Sequence, residues 1–313
     1  MENHSHGHHH HHSHSSHHHN DLKENRLLWA TLLNLFITVI EIVGGLLSNS
    51  LALLSDAVHN LGDTLAIMLA WVANRIGKRS ANYRKTFGYR RIEILTAFFN
   101  AAILLVIIAF LIRESILRFQ NPEPIKGLLM FVVATAGLVA NVIAMLLLKG
   151  DSGKNINMRA AYLHLLGDTF SSALVIVGSV LIYFFEVYWI DPLLTILIGL
   201  YIVKETFSII RQSFNILMQA SPANISLEEV KKQLENLEGI DNIHHAHLWN
   251  LSDSQTHFEC HIDVTSDIKV SETSLLKQKI ERLLRKEFHI THVTLQFEYN
   301  CCSEKQLIHD EKK

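Results

Sequence analysis

Six long apolar runs fill the first two thirds of the chain, near residues 27–47, 51–76, 92–119, 125–148, 157–184 and 190–214. Each matches or exceeds the roughly 20 residues that a helix needs to cross the hydrocarbon core of a bilayer. Six buried helices of a water-soluble protein would carry polar faces, which these runs mostly lack. Six transmembrane helices are therefore expected over 26–216. From Ser221, in SPANIS, the pattern changes. Helical periods cover 227–237 and 272–288, and alternating stretches fit strands through HHAHLWNLS, THFECHIDV and THVTLQFEY. The order αββαβ over 221–300 predicts a small two-layer α+β domain with both helices on one sheet face. Alternation in HFECHIDV puts Phe258, Cys260 and Ile262 on one side and His257, Glu259, His261 and Asp263 on the other, a polar face.

Composition agrees with a membrane protein: 49% of the 313 residues are hydrophobic, 19% are charged, and only four are proline. A net charge of −2 argues against a nucleic-acid partner. Three cysteines, two of them adjacent as Cys301 and Cys302, make no disulfide framework and fit a reducing compartment or a metal role. The N-terminal stretch is polar and histidine-rich rather than short and basic, so no cleavable leader is expected. It holds 11 of the 21 histidines, irregularly interrupted by Ser and Gly. Such a tract (1–25) is expected to be disordered and to bind metal weakly and multivalently. Residues 301–313 form a C-terminal tail.

Charge sets the orientation. Between the second and third runs lie Arg75, Lys78, Arg79, Arg84, Lys85, Arg90 and Arg91, with no acid before Glu93. That loop is expected in the cytoplasm. Lys149, Lys154 and Arg159 add to the same side, whereas the SNS turn is uncharged and EVYWID is acidic. With six spans, both termini are cytoplasmic.

Two near-repeats interrupt the apolar runs, HNLGDT at 59–64 and HLLGDT at 164–169. Each places a histidine four residues before an aspartate, on one helix face. The second span descends from outside and the fifth rises from inside, so both pairs lie roughly 12–20 Å along their helices, near the midplane. Antiparallel packing levels His59 with Asp168 and Asp63 with His164. Two imidazoles and two carboxylates suit a tetrahedral ion of borderline softness, with zinc the leading candidate, whereas calcium or magnesium would take oxygen alone. Buried ionisable groups inside a membrane are costly and mark function. Asn34, Thr38 and Glu41 form a stripe on the first span. Asp56 extends the second-span face, and Ser171 and Ser172 the fifth. These residues either line a hydrated route or tie the helices together. Asn141 on the fourth span has no evident partner.

SLALLSDAVHNLGD in the second span, HLLGD in the fifth, FGYRRIEIL at the entry to the third and HLWNL in the soluble domain occur here in one order. Together they resemble the cation diffusion facilitator family, in its zinc-exporting branch, over about residues 27–299. The resemblance maps the family's transport site onto His59, Asp63, His164 and Asp168. It further implies a homodimer, exchange of metal for protons, and a cytoplasmic domain of metallochaperone-like shape that can hold additional structural zinc. The matching positions there are His244, His261 and Glu298, with Cys301 and Cys302 as further candidates. Gln296 stands where some relatives have histidine, which leaves the number of cytoplasmic ions open.

The expected function is export of Zn(II) from the cytosol across the cell membrane in exchange for protons, with no enzymatic activity. Cd, Co, Fe or Ni as main cargo, and a membrane-anchored metal sensor, are the alternatives. A sensor needs no ligands at the midplane. An intramembrane metalloprotease would need HExxH, which the sequence lacks.

Overall fold

The computed structural model describes residues 17–149, 156–300 and 305–308, with side chains over 31–146, 162–300 and 305–308. The histidine tract up to residue 16 and the candidates Cys301 and Cys302 lie outside the described residues. Six long helices come first: α1 His17–Ser48, α2 Leu51–Gly77, α3 Ile92–Gln120, α4 Gly127–Lys149, α5 Ile156–Phe185 and α6 Ile190–Leu217. They follow the six apolar runs, except that α1 starts ten residues before position 27, so 17–25 continue the helix rather than belong to an unstructured tail. Five helices are both long and apolar enough to cross a membrane. At 27 residues α2 is long enough, but Asp56, His59, Asn60 and Asp63 dilute its hydropathy.

The chain divides into two compact units, Met1–Leu65 with Leu104–Lys204, and Ala66–Ile103 with Glu205–Lys313. In the first unit α4 packs against both α1 and α5. The approach of α1 is close, since a Cβ on Gly44 would come within 2.7 Å of the Val133 methyls. Leu53, Ile108, Met130, Val175 and Ile202 are buried at the centre. The SNS turn works because Asn49 takes a left-handed φ of 62°, which asparagine tolerates better than most residues. Arg118 then locks it, donating to the Asn49 carbonyl and side-chain oxygen at 3.0 Å each. The start of α2 is capped from α6: Asp191, fully buried, accepts from Ser50 Oγ (2.5 Å), Leu51 N (2.8 Å) and Ala52 N (3.2 Å). A carboxylate there satisfies orphan amides and opposes the positive end of the helix dipole.

The second unit contains the soluble domain: α7 Leu227–Glu235, β1 Ile240–Ser252, β2 Gln255–Val264, α8 Val270–Glu287 and β3 His292–Glu298. This is the expected αββαβ order. The strands run β1-β2-β3, antiparallel then parallel. Val230 and Leu234 of α7 and Leu276, Ile280 and Leu284 of α8 share one core with Ile243, Phe258, Cys260 and Ile262. Burial pushes the Cys260 thiol up to about 12, so it stays protonated and packs as a small apolar group. The opposite strand face is less solvated than its sequence implies. His257 is covered by Phe87, Trp249 and His292, and Asp263 is 2% exposed beneath Lys305. The cover over Asp263 comes from 305–308, whose Gln306 and Leu307 carbonyls accept from His245 N and Ala246 N at a bulge in β1.

Candidate metal centre

Near the middle of α2 and in α5, the two His-x-x-x-Asp pairs face one another. His59 Nε2 lies 3.6 Å from Asp168 Oδ1, and His164 Nε2 lies 3.1 Å from Asp63 Oδ2, the cross-pairing that antiparallel packing predicts. Within each helix, His59 Nδ1 to Asp63 Oδ2 is 3.6 Å and His164 Nε2 to Asp168 Oδ2 is 3.7 Å. One candidate ligand atom from each of the four lies within 4.8 Å of all the others. A tetrahedral zinc with arms near 2.0–2.1 Å has ligand-to-ligand edges of about 3.3–3.4 Å. The separations from His59 Nε2 to Asp168 Oδ1 and from His164 Nε2 to Asp63 Oδ2 lie on either side of that value. His59 Nδ1 is buried with no hydrogen-bond partner among the described residues, as an uncommitted ligand atom would be.

The four are unequally accessible. The Asp168 side chain is 3% exposed and His59 10%, against 28% for Asp63 and 43% for His164. Beyond the buried pair, Asp56 accepts from Ser171 Oγ at 2.6 Å and Ser172 Oγ at 3.1 Å. On α1, Glu41 is fully buried and accepts from Asn60 Nδ2 at 3.0 Å, while Asn34 Nδ2 donates to Thr64 Oγ1 at 3.2 Å. Thr38 turns back to the Asn34 carbonyl at 2.7 Å. A Cβ at Gly137 would collide with the Glu41 carboxylate, so the glycine makes room for it. Asn141 is buried, and its Nδ2 has no partner among the described residues. Sequence reasoning missed Asn60, Thr64 and the Asp191 cap. The first two were in plain sight as the second and sixth letters of HNLGDT.

In the soluble domain, strand register assembles a second cluster. His244 pairs across from His261, and Asp263 beside Glu298. His261 Nδ1 is 2.9 Å from Glu298 Oε1, His244 Nε2 is 3.4 Å from Glu298 Oε2, and neither His244 nitrogen has a hydrogen-bond partner among the described residues. Gln296 Nε2 donates to Glu298 Oε1 at 2.6 Å, holding the carboxylate in place. Asp263, not anticipated, approaches His244 Nδ1 to 3.9 Å and meets Lys305 Nζ at 3.0 Å.

Residues 27–218 match the family model described as the cation efflux transmembrane domain, and 222–300 match the cation efflux protein cytoplasmic domain. The zinc transporter ZitB of Pectobacterium atrosepticum is 39% identical over 281 residues, covering 89% of this chain and 87% of that protein. The cadmium, cobalt and zinc/H(+)-K(+) antiporter of Bacillus subtilis is 38% identical over 262 residues, 83% of this chain and 84% of the other. The metal cation efflux system protein CzcD of Cupriavidus metallidurans is 37% identical over 266 residues, covering 85% and 84%.

Proposed function

We propose that this chain, which belongs to the cation efflux (cation diffusion facilitator) family, exports Zn(II) from the cytosol across the cell membrane in exchange for protons, with both termini in the cytoplasm. The observation that carries this reading is the quartet His59, Asp63, His164 and Asp168, in which one candidate ligand atom from each residue lies within 4.8 Å of the other three. Zinc is the cargo there, not a resident cofactor.

Topology gives the exposure gradient a direction. Asp63 lies further along α2 toward its basic, cytoplasmic end, and His164 lies before Asp168 in α5, nearer the same side. The two open ligands are thus the cytosolic pair, and the buried His59 and Asp168 face outward beneath the Asp56–Ser171–Ser172 seal. The gradient supports a site open to the cytosol. Release outward requires that seal to part while the cytosolic side closes, so that the same ligands are presented first inward and then outward. Protons enter through the ligands themselves: imidazoles must be neutral to bind zinc, and protonation from outside competes with the ion.

Homodimerisation through the C-terminal domain, with zinc as a structural ion at His244, His261 and Glu298, belongs to the same proposal, supported by the matched domain and by the geometry of the three side chains. The name of the Bacillus subtilis relative favours cadmium and cobalt as further cargo. Zinc flux into proteoliposomes under an imposed pH gradient tests the reading. Flux driven by the gradient is expected; zinc flux indifferent to it leaves a uniporter and removes the exchange.

A further inference from the structure

The seven cations from Arg75 to Arg91 take part in no interaction described above. The ion pairs among the described residues that involve lysine or arginine use none of them. Four of the seven, Arg84, Lys85, Arg90 and Arg91, converge on a cavity of about 510 Å³ closed on its far side by Trp249 and Leu251 of β1. No aspartate or glutamate lines it. Arg91, which lines the cavity, has its Nε buried with no hydrogen-bond partner among the described residues. A buried guanidinium nitrogen left unpaired beside three further cations is costly unless an anion completes it. The neighbouring His257 reports the same field. Its pKa is lowered first by burial and then by His292, Arg90 and Arg91.

Position narrows the anion. Two turns before the loop begins, Trp71 is 64% exposed and the Arg75 guanidinium sits 5.8 Å from its ring centre. An exposed tryptophan paired with arginine at the end of an apolar helix marks the membrane–water interface. The loop that follows lies at headgroup level, where anionic lipids concentrate and polybasic segments find them. The net charge of −2 for the whole chain hides this local excess.

We propose that the cavity between residues 84–92 and β1 binds the phosphate of an anionic phospholipid headgroup, with Arg90 and Arg91 as its principal partners. The headgroup would join the loop that follows α2 to the sheet that Phe87 already touches through His257, ring centres 5.4 Å apart.

Lipid retention by the full-length protein in detergent, without zinc, tests this independently of the transport reading. Phosphatidylglycerol should be retained and raise the unfolding temperature, and phosphatidylcholine should do neither. Each arginine near an anionic surface is worth about a fivefold change in binding. The pair R90Q and R91Q should therefore weaken phosphatidylglycerol binding roughly 25-fold, and R90K with R91K should restore most of it. The same loss of charge on α8, R282Q with R285Q, should leave binding within about twofold. If the R90Q/R91Q protein does not fold, R84Q carries the test with about a fivefold loss. Equal retention of the two lipids, or equal losses from the α8 and loop variants, overturns the proposal. So does inorganic phosphate if it displaces phosphatidylglycerol at comparable concentration, because the site then serves a free anion.

Discussion

In the helical unit, four candidate ligands come from two five-residue segments, His59 to Asp63 and His164 to Asp168. In the soluble domain, three come from three strands: His244 of β1, His261 of β2 and Glu298 of β3. The first set is pre-aimed by helix geometry, because residues four apart share a face whatever the rest of the protein does. The second exists only once the strands have found their register, since a slip of one residue would turn a strand's ligands to the opposite face. The sets also differ in completeness. Four candidate ligands can enclose an ion, whereas three leave a position to be filled. Two candidate metal sites are thus built by different means.

The largest expected effect falls on the quartet. Asp63→Ala or Asp168→Ala should lower zinc flux in proteoliposomes by about 100-fold or more while the protein still inserts and dimerises, because loss even of a residue that only supports a ligand costs about 10–100-fold. Near-normal flux in either variant would break the four-ligand assignment. His59→Asp comes next. It should keep transport but raise the cadmium-to-zinc flux ratio about tenfold, since replacing imidazole by carboxylate changes both ligand type and the geometry that selects the metal. An unchanged ratio would move selectivity elsewhere.

The same contrast explains what could be read before the fold was known. Apolar runs and the repeated His-x-x-x-Asp spacing carry local information, and the six helices, the cross-pairing of His59 with Asp168 and of Asp63 with His164, and the αββαβ order all follow from it. Tertiary partners do not. The Asp191 carboxylate that caps α2 is 140 residues from Leu51, and no local pattern announces it. Nor could strand alternation show that His257 and Asp263 are covered, because Phe87 and Lys305 arrive from other parts of the chain. The cytoplasmic candidates came from family resemblance and not from spacing, which is why Asp263, read only as part of the polar strand face, was not counted among them.

Glu298→Gln should produce a smaller, local loss. In an Asp63→Ala, Asp168→Ala background that silences the quartet, zinc affinity at the remaining site should fall about 10–100-fold, because the glutamate is the contact common to His244 and His261. His261→Ala should match it. The zinc dependence of dimer association should weaken in parallel. Zinc binding identical to the parent would reduce the three side chains to an ordinary hydrogen-bonded group.

The smallest effect concerns Lys305, which separates the two clusters in kind, since no lysine or arginine among the described residues pairs with the quartet. Its ammonium is 3.0 Å from both Asp241 and Asp263, and these hydrogen bonds, the one to Asp241 first, raise its pKa above the ordinary lysine value. Two consequences work against a metal ion next door. The ammonium repels a divalent cation, and it occupies a carboxylate that approaches His244 Nδ1 to 3.9 Å. Lys305→Gln should therefore tighten zinc binding at the triad, by no more than about twofold to fivefold because Lys305 is exposed and its pairs are screened by solvent. A raised pKa means that the contact is fully present below the ordinary lysine value and is lost only as pH rises through the higher one. The gain should then be constant between about pH 6 and 9. Zinc titrations of the two proteins across that range give parallel curves if Lys305 acts as a fixed charge. Weaker binding in Lys305→Gln would mean instead that the lysine supports the cluster by anchoring the segment that covers it.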